Sequence, residues 1–346
     1  MGNEASVDVV RCGASPDMED ALVLASLDDD APLGGVGPAV DALNSAQVAI
    51  VQHEYGLYDG SDGDAVLDVM SGLTVPTIVV AHTVVGRPTE NQRTVLESVC
   101  AAADAVVVMT STARARLLAG FDVDPGKVLI IPHGAATPPP VAGDEVHRPR
   151  TTAPRLLTWG LLGPGKGIEW AIDALADLAD LDPAPEYLIA GATHPKVLAY
   201  EGDTYRQMLV ERVASTGTTG VTFDDSYRDL ETLTELIRSA DLVVLPYDSA
   251  DQVTSGVLVD AVAAGCPVVS TAFPHAVELL GSGAGIVVPQ RDPKALAAAI
   301  RAVVTDPELA AGMAAEARRL APGLSWYSVA GQYHALAGQL LDSVRS

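Results

Sequence analysis

Short runs rich in Val and Ile alternate with segments of helical periodicity along almost the whole chain. No other feature constrains the fold as much. AQVAIVQ (46–52), PTIVVAH (76–82), DAVVVMT (104–110) and KVLIIPH (127–133) are apolar, β-branched and too short for helices. DAVLDVMSGL and NQRTVLESVCAAA lie between them and place apolar residues at helical spacing. Strands separated by crossover helices run parallel, and strands buried on both faces read as continuous apolar runs.

The alternation restarts after TPPPVAGDEVHRPRTTAP (137–154), a Pro-rich polar stretch that reads as a linker. PRLLTWG (154–160), PEYLIAG (185–191), GVTFDD, DLVVLPY (241–247), PVVST (267–271) and GIVVP (285–289) read as strands, with helices between most of them. AVELLG reads as a turn. DPKALAAAIRAVVT and DPELAAGMAAEARRLA open on Asp-Pro, a helix-start signal. The expected fold class is α/β. Two doubly wound domains, 1–145 and 152–325, would face a cleft, and a helix over 326–346 would cross back to the first.

A chain of 346 residues with 48% apolar composition can build two such cores. The formal charge of −24 argues against a nucleic-acid partner. No apolar run reaches membrane-spanning length, and the start lacks the basic and apolar regions of a signal peptide. Cys12, Cys100 and Cys266 are far apart and show no metal spacing. Free thiols in a reducing cytoplasm are the expectation.

Ligands of open α/β sheets bind beyond the carboxyl ends of the strands, so polar residues just after each strand matter most. Those residues are His53, Glu54, His82 and His133 in the first half. In the second half they are Lys166, His194 and the loop 248–256. In GLLGPGKGIEW (160–170), Gly163 and its neighbouring glycines allow close backbone approach, and a helix start with Lys166 beside it suits a diphosphate. Lys166 is one of four lysines in the chain. The segment matches neither GxxxxGK[ST] nor GxGxxG, and a Gly-rich turn with a solvated lysine would read the same. In DQVTSGVLVDAVAAGCPVVS (251–270), Ser255 suits an N-cap and Gly256 a close ligand approach. Asp260 follows among apolar residues. There it can accept hydrogen bonds from a ribose diol, or it is a solvated or capping carboxylate.

These segments, with VVVMTSTARARL, KVLIIPHGAA and GSGAGIVVPQRDPKALAAAI, resemble the retaining family-four (group 1) glycosyltransferases of GT-B fold. The resemblance runs from about residue 46 to the tail SWYSVAGQY. VQHEYGLYDG, GATHP and EGDTYR are similar to one bacterial subgroup. The resemblance implies a hexosyltransferase that takes a nucleotide diphosphate sugar as donor and a sugar or small molecule as acceptor, with no cofactor and no metal. It assigns the diphosphate to Lys166, assisted by Arg206, and to the Ser255–Gly256 amides, with Gly163 and His194 also among the donor-binding residues. Asp260 takes the ribose. Gln252, His82 and His53 lie near the reacting centre, with Glu54 and His133 at the cleft.

Three positions depart from the family pattern. Gln252 stands where the family has an acid, and an amide cannot stabilise an oxocarbenium by charge. Leu161 stands near the place of a diphosphate-binding Arg. The first βα unit reads as short or missing. A sugar-nucleotide epimerase and a catalytically weak sugar-nucleotide-binding protein are the alternatives.

Overall fold

A computed structural model describes residues 5–12, 22–28, 34–136 and 153–345. The expected linker falls almost wholly outside these residues. The chain forms two compact units: Met1–Pro132 with Ala330–Ser346, and His133–Val329.

In the first unit, β1 (Val9–Arg11) and β2 (Val23–Ser26) pair in parallel as a small separate sheet. Helix α1 (Val36–Asn44) follows. A four-stranded sheet then runs in sequence order through β3 (Ala49–His53), β4 (Thr77–Ala81), β5 (Ala105–Val108) and β6 (Val128–Ile130), all parallel. Helices α2 (Val66–Ser71), α3 (Glu90–Ala102) and α4 (Ser111–Gly120) make the crossovers. Thr89 and Thr110 cap α3 and α4 through their side chains. Every residue of β4 and β5 is buried, as the continuous apolar runs require. In β3 buried and exposed residues alternate strictly.

The second unit is a six-stranded parallel sheet. Its strands are β7 (Arg155–Trp159), β8 (Glu186–Ala190), β9 (Val221–Asp224), β10 (Leu242–Leu245), β11 (Val268–Thr271) and β12 (Gly285–Val288). Their order is β12-β11-β10-β7-β8-β9. The chain first builds outward from β7 to β9, then returns to β10 beside β7. That reversal opens a crevice at the carboxyl ends of β7 and β10.

Strand alternation sends the apolar residues to both faces. Leu156, Leu242, Val244 and Val269 join one core, which includes residues of α5 (Ile168–Ala176), α7 (Thr204–Thr216) and α11 (Pro293–Thr305); α6 (Pro195–Glu201) follows β8 and adds no buried residue. Leu157, Trp159, Val243, Leu245 and Val268 join the other. This second core includes residues of α8 (Leu230–Ser239), α9 (Gly256–Ala263), α10 (Pro274–Leu280) and α12 (Pro307–Leu324). The last helix is α13 (Trp326–Arg345). The segment expected to turn at AVELLG is instead α10. Pro274 opens it at the first helical turn, and His275, Ala276 and Leu280 bury one side. No helix among the described residues is long and apolar enough to cross a membrane.

Candidate functional site

The β7–α5 loop is held rigidly at the crevice. Leu162 is buried in the core, its N–H donates to the Ala192 carbonyl, and its carbonyl accepts from His194 N–H. Gly167 begins α5 at a φ of +63°, where a Cβ would lie 2.0 Å from the Pro246 carbonyl oxygen. Only glycine permits that crossing of the β10 terminus. Asp248 N–H then donates to the Gly165 carbonyl at 3.1 Å, joining the loops that follow β7 and β10.

Lys166 lies between these loops. Its Nζ is 4.5 Å from the centre of the Tyr247 ring, which stacks on Phe273. It has no carboxylate partner among the described residues. Burial lowers its pKa. A desolvated cation on an aromatic face is poised for an anion.

Ser255 is the N-cap of α9, and its Oγ accepts from Leu258 N–H at 3.2 Å. Its own N–H, however, donates to His275 Nδ1 at 2.9 Å. That corrects the expectation for Ser255: its amide is already satisfied. Gly256 and Val257 are left as the first-turn amides without an acceptor among the described residues. His275 is buried, and desolvation brings its pKa down to about 4. It stays neutral and can accept. Sequence reasoning missed this residue, because nothing at position 275 signals a partner twenty residues earlier.

Asp260 lies one helical turn beyond Gly256 on the same face of α9. Leu258, Val259, Ala261 and Val262 around it are buried. The carboxylate has no hydrogen-bond or ion-pair partner among the described residues. Desolvation alone pushes its pKa up to about 6.

The other expected residues of this unit are partly engaged. Gln252 turns its amide back onto the Thr254 carbonyl. His194 caps α6, its Nδ1 accepting from Lys196 N–H at 3.1 Å. Arg206 donates to the Gly191 carbonyl at the end of β8, 3.0 Å away, and its guanidinium stands over Phe223. Gly163 is pressed against Val197, which would meet a Cβ at 3.0 Å. His133 stands against Gly256, with its Nδ1 bound to the Gly134 carbonyl oxygen at 2.6 Å.

In the first unit, the ends of β3 and β4 gather a polar cluster. His82 Nε2 is 2.7 Å from Gln52 Oε1, and Thr83 Oγ1 donates to Glu54 Oε2 at 2.5 Å. His53 is a correction. It is fully buried, on the same face of β3 as Ala49 and Val51, so its ring points into the core. Neither ring nitrogen has a hydrogen-bond partner among the described residues, and burial, with His82 nearby, lowers its pKa to about 4. Gln52, one residue earlier and exposed, takes the place assigned to it beside His82. Among the described residues no group of three or more His, Cys, Asp or Glu is placed to hold a metal ion.

The second unit is therefore a doubly wound domain whose switch-point crevice carries an unpaired cation, free helix amides and an unpaired carboxylate. Residues 144–320 match the family model for glycosyl transferases group 1, and the chain belongs to that family. It is 31% identical over 307 residues to a D-inositol 3-phosphate glycosyltransferase of Geodermatophilus obscurus, an overlap covering 80% of this chain and 65% of that one. A protein of the same name from Kineococcus radiotolerans is 29% identical over 259 residues, covering 68% and 57%. The chain thus spans 57% to 65% of the length of these relatives. Sucrose-phosphate synthase from Thermosynechococcus elongatus has a similar structure, with TM-score 0.72, 21% identity, and coverage of 93% of this chain and 83% of that one. So does the Anabaena protein HepE in complex with UDP, with TM-score 0.69, 18% identity, and coverage of 91% and 85%. The fold is GT-B, with two α/β units each built on a parallel sheet.

Proposed function

We propose that this chain is a retaining glycosyltransferase that moves a hexosyl unit from a nucleotide diphosphate sugar to an acceptor hydroxyl, with no metal ion. One observation carries the reading. Lys166 and Asp260 are half-buried opposite charges at the carboxyl end of one sheet, and neither has an ionic partner among the described residues. A ligand bearing both an anionic group and a vicinal diol would satisfy both. The crystallised HepE complex, with UDP, is consistent with a nucleotide ligand on this fold.

In this reading Lys166 and the amides of Gly256 and Val257 hold the diphosphate and stabilise its developing charge as it leaves. Asp260 accepts hydrogen bonds from the ribose. The acceptor hydroxyl attacks the face from which the nucleotide departs, so the anomeric configuration is kept. Gln252 can offer a hydrogen bond to the hexose but no charge. D-inositol 3-phosphate belongs in the acceptor panel because of the relatives' name.

The test is a thermal-shift screen of GDP, UDP and ADP sugars, followed by calorimetry. A ligand of the folded state raises the melting temperature. Lys166→Ala should lower the affinity of the selected donor about tenfold to a hundredfold, the loss of one charge-assisted contact. Transfer to an acceptor with an α-configured product from an α-configured donor completes the reading. Unchanged affinity in Lys166→Ala refutes the site. Gln252, whose amide is bound to Thr254, favours one second reading, a sugar-nucleotide-binding protein with weak catalysis. Such a protein would bind the donor but neither transfer nor hydrolyse the sugar.

A further inference from the structure

A bound diphosphate brings at least two negative charges to the crevice, and Lys166 supplies one positive charge. The other charged side chains of the adjoining loop and helix are acids. Asp248 is paired with Arg291 at 3.0 Å, and Asp251 and Asp260 add negative charge. Arg206 is committed to the Gly191 carbonyl. Two rings stand at the start of α9: His275 is engaged by the Ser255 N–H, and His133 is set against Gly256. A Cβ at Gly256 would lie 3.1 Å from its Cε1 and 3.2 Å from its Nε2.

The ring is fixed in a known orientation. Nδ1 is 2.6 Å from the Gly134 carbonyl oxygen, which can only accept, so Nδ1 carries the hydrogen. The lone pair is therefore on Nε2, which lies nearer than Nδ1 to the Cβ position of Gly256, 3.2 Å against 3.8 Å. Trp326 covers another side at 5.6 Å between ring centres. Gly134 makes room for that indole, since a Cβ there would fall 2.2 Å from Trp326 Cε3. The titratable group facing His133 from a neighbouring element is His275 of α10, which is neutral; Gly256 of α9 and Trp326 of α13 carry no charge.

We propose that His133 is the second cationic contact of the diphosphate: Nε2 takes one proton from solvent as the anion docks on the Gly256 and Val257 amides, and the imidazolium donates it as a hydrogen bond to a phosphate oxygen. This inference rests on the nucleotide-sugar reading of the crevice. The proton balance is simple. One proton moves from water to Nε2 on binding and returns when the diphosphate leaves. In the free protein burial keeps His133 below the usual imidazole pKa, so the proton is absent until the anion supplies the compensating charge.

Calorimetry with inorganic pyrophosphate, in a chelating buffer and in two buffers of different ionisation enthalpy, counts the protons taken up. Wild type, His133→Gln, His133→Asn and Lys166→Ala are compared at pH 6, 7 and 8. Wild type should take up more protons at pH 7 than either His133 variant. The ratio of wild-type to variant affinity should fall about threefold from pH 6 to pH 8, since a pKa rise of roughly one unit on binding changes affinity by at most about tenfold over the whole titration. Two amide variants guard against one that does not fold. Proton uptake and pH dependence equal to wild type in both folded variants overturn the role of His133. If Lys166→Ala loses pyrophosphate while the His133 variants do not differ from wild type, only the histidine inference fails. If Lys166→Ala binds as wild type does, the reading of the crevice fails with it.

Discussion

Asp260→Asn should make the empty protein more stable while making it a poorer ligand binder. The carboxylate sits among buried apolar residues of α9 with no partner, and desolvation moves its pKa from 3.8 to about 6. The sign follows from linkage. The folded state holds this proton more tightly than the unfolded chain, so ionisation destabilises the fold as pH rises from the unfolded pKa through the folded one. A shift of about two units corresponds to about 3 kcal/mol once the group is ionised. Near pH 4 the difference should be under about 1 kcal/mol, near pH 5 about 1.5 kcal/mol, and above pH 6.5 it should level off near the full value. Asparagine keeps the shape and removes the charge. The assay is urea unfolding of wild type and Asp260→Asn at pH 4, 5, 6 and 7.5, since the titration of every other carboxylate cancels in the difference. The same variant should lose about tenfold to a hundredfold in affinity for the donor found by screening, because hydrogen bonds to a charged acceptor are worth about 1.5–3 kcal/mol. A stability difference that is absent at pH 7.5, or constant across the series, refutes the claim that Asp260 is an uncompensated charge.

Three further substitutions probe the histidines. His53→Leu replaces a buried ring whose nitrogens have no partners, so it should fold with equal or greater stability. Since the folded-state pKa of His53 lies near 4, stability is lost as pH falls below the ordinary 6.5; wild type should lose about 2 kcal/mol relative to His53→Leu between pH 7 and pH 5 in paired urea melts. A variant less stable than wild type at pH 5 refutes the burial of a neutral ring. His275→Ala leaves the buried Ser255 N–H without an acceptor and should cost about 2–3 kcal/mol. His275→Asn, which offers an oxygen near the former Nδ1, should recover part of that. Hydrogen exchange at the Ser255 amide reads the bond directly: protection equal to wild type in His275→Ala would show that the bond does not form.

Much of this protein is written in its sequence, because the signals are local. Apolar runs such as TIVVA and LVVL end as strands buried on both faces, and the helices between them fall close to where the periodicity sets them. Ser255 caps α9 as its residue type requires, and Gly167 marks a backbone crossing that no other residue allows. The alternation in AIVQH even contained the burial of His53, since the residue shares a strand face with Ala49 and Val51. A polar residue that closes a strand keeps the strand's alternation, and that alternation points the His53 ring inward.

Tertiary structure decided the contacts between distant segments. Lys166 and Tyr247 are far apart in the chain and meet because β10 returns to lie beside β7. His275 reaches Ser255 because α9 and α10 follow neighbouring parallel strands. His133 meets Gly256 across more than a hundred residues. Strand order and register are set by the joint burial of both sheet faces, a property of the whole packed unit rather than of any window of sequence. The residue types that could bind a nucleotide sugar were therefore legible, while the amides still free to do so, and the neutral rings beside them, were fixed only when the sheet was assembled.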